Sequence, residues 1–231
     1  MSRIVIFGAG GRAGRQAVAE ARRRGHEVTA VVRDPSRYGG LADDGVRIAA
    51  GDVTKETDVA ALAAGHDAAI NATAVYGAGT DPDAFFTAAA HALVTGLRQA
   101  GVDRLIAVGL SAVLPGPDGI RLLDTLLNEF RPFCLAHAAG LEVLRAEGGA
   151  LDWVWVSPAG DFDHDGERTG RYDVREHGDP AARISYADFA LALLDEAQAP
   201  HHHHHRQLAV SRRRLLAEKS GFRPWAVAAG R

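Results

Sequence analysis

Gly8, Gly10, Gly11, Ala13 and Gly14 are the densest set of residues in this chain with an evident chemical use. They follow the apolar run Ile4-Val5-Ile6-Phe7 and open a helical pattern from about Arg12 to Arg24. Glycine lets a backbone turn sharply and approach a ligand closely. A helix starting there aims free N–H groups and the positive end of its dipole at one point, which suits a phosphate. Two spacings coexist. Gly8-x-Gly10-x-x-Ala13 fits the ordinary dinucleotide-binding fingerprint, and Gly8-x-x-Gly11-x-x-Gly14 fits a variant of it. The expected ligand is a dinucleotide held by its pyrophosphate.

Further polar residues recur at the ends of apolar runs. Arg33 and Asp34 follow Glu27–Val32, where a bound adenosine ribose would lie. Arg33, with Arg12 from the glycine loop, could grip a 2′-phosphate through bidentate bonds, so NADP(H) is expected over NAD(H). Asp34 could instead turn inward to a ribose hydroxyl. Asp52 and Val53 follow Val46–Ala50; Asp52 either accepts from the adenine amino group or serves only the next turn. Asn71, Ala72 and Thr73 end the run Ala68–Asn71, with small residues on the nicotinamide side. Ser111 follows Arg104–Val108.

The elements that must position these residues are strands alternating with helices. Besides the runs above, strands are expected at Asp152–Val156 and Gln207–Val210, and helices at Asp83–Gln99, Leu135–Glu147 and Tyr186–Glu196. This rhythm predicts an α/β fold of Rossmann type, a doubly wound parallel sheet with helices on both faces and a small C-terminal substrate-side segment. Ligands of such sheets sit beyond the carboxyl ends of the strands. Residues 115–132 could form a lid with a helical middle at 120–130, and 161–173 reads as a polar loop. One domain is expected over residues 1–210, followed by a tail, 211–231, that opens with Ser211-Arg212-Arg213-Arg214.

Size and composition agree with one filled core: 231 residues, 47% hydrophobic, net charge −3. The charge gives no sign of a nucleic-acid surface. No apolar run of about 18 residues predicts a membrane span. With no signal peptide visible and a single cysteine, Cys134, a cytoplasmic protein is expected, a monomer or small homo-oligomer. No metal centre is expected. Asp161-Phe162-Asp163-His164-Asp165 lacks a calcium-loop pattern, and His201–His205 reads as a native histidine-rich loop able to bind nickel or zinc adventitiously.

Beyond the fingerprint, the chain resembles the atypical short-chain dehydrogenase/reductases of the NmrA-like group, which includes bacterial NAD(P)H-flavin reductase-like proteins and biliverdin-B/flavin reductase. The resemblance runs from Ser2 to about Val210. Its marks are Gly8-x-x-Gly11-Arg12-x-Gly14, Val32-Arg33-Asp34-Pro35, Gly51-Asp52-Val53, Ser157-Pro158-Ala159, Gly166 to Tyr172, and Ile184-Ser185-Tyr186-Ala187-Asp188. It implies NAD(P) on the glycine loop and a substrate over the nicotinamide. It also implies a serine and a histidine flanking that substrate, which fall on Ser111 and His137. Each has a plainer reading, Ser111 as a turn or capping serine and His137 as a surface or capping histidine.

Ordinary members of that superfamily protonate a carbonyl with a tyrosine whose pKa is lowered by a lysine four residues on. Here the residues four beyond Tyr38, Tyr76, Tyr172 and Tyr186 are Ala42, Thr80, Glu176 and Ala190. Carbonyl reduction of the usual kind is therefore not expected. Reduction of a flavin, quinone or similar conjugated acceptor asks less, because the ring is already an electron sink. The expectation is hydride transfer from NADPH to such an acceptor, with His137 the first candidate proton donor. The rival is a non-catalytic NADP(H) sensor that binds a partner protein. An epimerase of the extended family, which usually needs the tyrosine, comes third.

Overall fold

The structure is a computed structural model describing residues 1–41, 45–125, 129–199 and 202–213. The expected tail lies almost wholly outside the described residues. Ten strands are described: β1 (Arg3–Phe7), β2 (Glu27–Val32), β3 (Val46–Ala50), β4 (Ala68–Asn71), β5 (Arg104–Val108), β6 (Asp152–Pro158), β7 (Asp161–Asp163), β8 (Tyr172–Arg175), β9 (Arg183–Ser185) and β10 (Arg206–Arg212). Six α-helices accompany them: α1 (Arg12–Arg23), α2 (Glu56–Ala63), α3 (Pro82–Ala100), α4 (Leu122–Thr125), α5 (Arg131–Glu147) and α6 (Tyr186–Gln198).

Eight strands form one sheet in the order β3-β2-β1-β4-β5-β6-β10-β8. Every neighbouring pair is parallel except β10 with β8. The order reverses at β1, which creates the crevice where such sheets bind ligands. Alternation along β1 explains the two helical layers. Val5 and Phe7 face a core shared with α2, α3 and α5. Ile4 and Ile6 face a second core shared with α1 and α6. Strands buried on both faces read as continuous apolar runs, as they do here.

Local signals set the helix ends. Asp81 caps α3 by accepting from Ala84 N at 3.0 Å, and Gly101 ends it in the left-handed region at φ 70°. Ser185 caps α6 in the same way, accepting from Asp188 N at 3.1 Å.

Three expectations are corrected. The segment 120–130 is not one helix; Leu122–Thr125 is a single turn, and residues 126–128 lie outside the described residues. The polar loop 161–173 begins with a strand, because Asp161–Asp163 pairs in parallel with Arg183–Ser185. β10 continues two residues past Val210, because Ser211 and Arg212 pair with Asp173 and Tyr172 of β8. Polar side chains hid both pairings from a reading based on apolar runs.

Candidate functional site

Two clefts open at the carboxyl ends of the strands. The first, about 600 Å³, is within the usual range for small-molecule sites. Its floor is the turn after β1. Gly8 takes φ 78°, and its N–H and that of Ala9 both donate to Val31 O. A β-carbon at Gly8 would also stand 2.6 Å from Ala72 O. At Gly14 a β-carbon would overlap the Gly8 carbonyl oxygen, so α1 packs directly onto the loop it follows. Gly8, Gly10 and Gly11 line the cleft, whereas Ala13 and Gly14 shape it from within α1.

The adenosine end carries Arg33, Asp34, Arg37 and Tyr38. Asp34 caps the turn that follows it. Its Oδ1 accepts from Ser36 N and Ser36 Oγ at 3.1 and 2.6 Å. Those bonds hold its carboxyl below the usual range. Arg12 heads α1 with its Nη1 2.6 Å from His164 Nδ1, outside the lining of this cleft. Arg37, the last residue of the turn that Asp34 caps, lines the cleft with Arg33. Sequence reading missed Arg37 because the short 3₁₀ turn over Pro35–Arg37, which brings it back to the strand end, shows no apolar period.

Asp52 and Val53 line the same cleft. Asp52 Oδ1 accepts from Thr54 N at 3.0 Å and Thr54 Oγ1 at 2.7 Å. Burial opposes its charge, but the Thr54 bonds outweigh it and the carboxyl is held below the usual range. Asp52 thus shapes its turn and faces the cleft. Asn71 lies just behind the wall; its Oδ1 accepts from Thr73 N and Oγ1, and Ala72 and Thr73 present the surface.

The second cleft, about 560 Å³, adjoins the ends of β5 and β6. Ser111 opens a 3₁₀ turn on its floor, and Leu110, Leu114 and Phe130 give it apolar walls. The segment expected to be a lid supplies one side through Ile120, Arg121 and Leu122. An aromatic seam lies beside both clefts. Phe85 lines the first and Phe130 the second, while Tyr76, 65% exposed, meets Phe130 and Phe133 edge-on at 5.9 and 5.3 Å. Isolated aromatics in three elements gave no warning of this cluster in the sequence.

His137, the expected proton donor, lines neither cleft. It is 5% exposed on α5, wedged among Phe86, Phe133 and Trp155 with ring centroids 4.3, 5.9 and 5.3 Å away. Burial pushes its pKa down to about 4, so the ring is neutral at pH 7. Among the described residues, its Nδ1 has no hydrogen-bond partner. The unfolded chain takes up a proton near pH 6.5 that the folded chain refuses until about pH 4. His137 therefore lowers stability as pH falls through that window, by up to about 3 kcal/mol, and has no such effect above it. His137→Phe should flatten the stability profile between those limits and leave turnover unchanged; denaturant melts and an activity assay check both.

Comparison with known proteins follows the same lines. The profile of a family described as NAD(P)H-binding matches residues 8–200, from the glycine loop through α6. The chain belongs to the NAD(P)H-binding family. The uncharacterised protein YwnB of Bacillus subtilis is 36% identical over 211 residues, 86% of this chain and 93% of YwnB. Among solved structures, a candidate NADH-flavin reductase from Streptococcus pneumoniae is 32% identical with a TM-score of 0.76, covering 92% of this chain and all of that one. A candidate epimerase from Bacteroides thetaiotaomicron is 30% identical with a TM-score of 0.80, covering 93% of this chain and 98% of that one. Family membership agrees with the resemblance read from the motifs, and the Rossmann-type architecture of this oxidoreductase-like fold is shared with these neighbours. Among the described residues, no helix is long and apolar enough to cross a membrane.

Proposed function

We propose that this protein is an NADPH-dependent oxidoreductase that passes a hydride to a flavin, a quinone or a similar conjugated acceptor in the cytoplasm. The observation that carries the reading is the pair of clefts at one sheet edge, the first glycine-floored and the second apolar with Ser111 on its floor. A nicotinamide cofactor supplies the hydride when bound. The chain holds its pyrophosphate on the Gly8–Gly11 backbone and its 2′-phosphate between Arg33 and Arg37. Ser111 donates a hydrogen bond to the acceptor or to the carboxamide, and the Phe130–Tyr76 seam shields the stacked rings from water.

Tyr172 donates to Asp195 at 2.7 Å, and burial with that carboxylate pushes its pKa up. It is a structural group and supplies no proton for an epimerase. The buried, neutral His137 leaves two readings: an acceptor that takes its protons from water, or a sensor that performs no chemistry. The S. pneumoniae neighbour's description favours the first.

NADPH absorbance, followed with excess FMN in air, separates these readings. Steady loss is expected from the wild type and none from Gly11→Trp. Gly11 has an extended backbone at φ −76°, and a β-carbon there would be 3.4 Å from Gly8 O, so the bulky ring fills the cleft without straining the turn. Binding without turnover on flavins and quinones would favour the sensor. Arg33→Ala should weaken NADPH by about tenfold to a hundredfold with little effect on NADH, as befits one charge-assisted contact; equal losses would remove Arg33 from the phosphate.

A further inference from the structure

The strands begin at the edge of the sheet opposite the clefts, and that edge carries a polar cluster of its own. Arg104 and Asp152 are the first residues of β5 and β6, and Arg104 is only 3% exposed. Its Nη1 donates to Asp152 Oδ1 at 2.8 Å and its Nη2 to Glu196 Oε2 at 2.9 Å. Glu196 stands in the last turn of α6, just before the chain passes through the histidine run into β10. His203 and His204 of that run fold back over the ion pairs. His203 Nδ1 is 2.7 Å from Glu196 Oε1, and His204 Nδ1 is 3.0 Å from Asp152 Oδ1. The His202 ring lies against that of His203, with centroids 4.1 Å apart.

Glu196, His202 and His203 each offer one ligand atom, and these atoms all lie within 4.8 Å of one another. Two imidazoles and a carboxylate form a ligand set that zinc accepts. Two features set this group apart from a solvated histidine run. The Glu196 side chain is 7% exposed and fixed from behind by Arg104, as a ligating carboxylate is by its outer partner. The oxygen that Arg104 does not hold, Oε1, is the one turned to His203. Ligand atoms around a tetrahedral zinc lie about 3.3 Å apart at bonds of about 2.0 Å, so the His203–Glu196 contact needs to open by less than about 1 Å.

We propose that Glu196, His202 and His203 bind a divalent transition metal of the zinc type, tying the end of α6 to the start of β10. The site faces away from both clefts, so its metal serves the fold and takes no part in hydride transfer. It stands independently of the proposed oxidoreductase activity.

The test uses the full chain without an affinity tag, stripped by a chelator and titrated with zinc chloride by calorimetry, with thermal melts alongside. One zinc per chain and a higher melting temperature are expected. The double variant His202→Ala/His203→Ala should lose both, with affinity reduced more than about tenfold, whereas His204→Ala should keep them. Glu196→Gln should weaken zinc although every histidine remains. If that variant fails to fold, the histidine pair decides. No zinc binding by the wild type overturns the site. So does zinc held as tightly after loss of His202 and His203, which would mark adventitious binding by the remaining histidines.

Discussion

Gly14→Ala is expected to weaken binding of NADPH and NADH alike by roughly a hundredfold. In most helices glycine to alanine gains about 1 kcal/mol. Here the new β-carbon overlaps the Gly8 carbonyl oxygen and stands 2.8 Å from Ala9 Cα, both rigid backbone. Such overpacking costs about 1–3 kcal/mol or more, which cancels the helical gain, and the relief comes from shifting either α1 or the loop. Either movement displaces Gly8, Gly10 and Gly11, which line the first cleft. A misplacement of about 1 Å in a positioned site can cost roughly a hundredfold. Fluorescence titration with both nucleotides measures this. A variant that binds either one like the wild type would show that α1 does not pack against the loop as described. The joint loss also distinguishes this variant from Arg33→Ala, which acts on the phosphorylated nucleotide.

The second large effect is on stability. Arg104→Met leaves Asp152 and Glu196 facing each other at 4% and 7% side-chain exposure without the guanidinium between them. Breaking a buried pair by removing one partner costs about 3–5 kcal/mol, because the buried carboxylates lose the guanidinium that offsets their charge. For a chain of this size that lowers the melting temperature by roughly 6–20 °C. Adding Asp152→Asn and Glu196→Gln should recover part of the loss, since the penalty belongs to the stranded charges. Melts of metal-free protein by circular dichroism check it. A fall of under about 3 °C for Arg104→Met would mean that water reaches this edge. NADPH affinity should not change, since the cluster lies at the opposite end of the strands.

The fold was legible because its strands are buried on both sides. Ile4–Phe7 and Leu105–Ala107 are apolar without a break, so their edges show in the sequence to within a residue. The glycine loop was legible for a related reason, since only glycine satisfies the geometry at Gly8 and Gly14. What stayed hidden depends on tertiary approach. Arg37 reaches the adenosine end through a turn set by Asp34 and Ser36. Arg12 turns to His164, 152 residues away in the chain. His137 carries the residue type of a proton donor, but the aromatic side chains that bury it come from α3, α5 and β6. Glu196 has no sequence neighbour that marks it as a ligand, and only the return of the chain into β10 brings the histidines back to it.

The order of strands in the sheet differs from their order of synthesis, and this separates the two clefts in time. The residues lining the first cleft run from Phe7 to Phe85, so a growing chain holds all of them early. The second cleft waits. Its wall at Ala159 is pinned by a 2.7 Å bond from Ala159 N to Val210 O, and Asp179 N in turn donates to Ala159 O at 2.7 Å. β10 inserts between β6 and β8, so neither the Ala159–Val210 bond nor the antiparallel edge can form until residues 206–212 have left the ribosome. A nascent chain can therefore shape a nucleotide cradle well before the second cleft has its far wall.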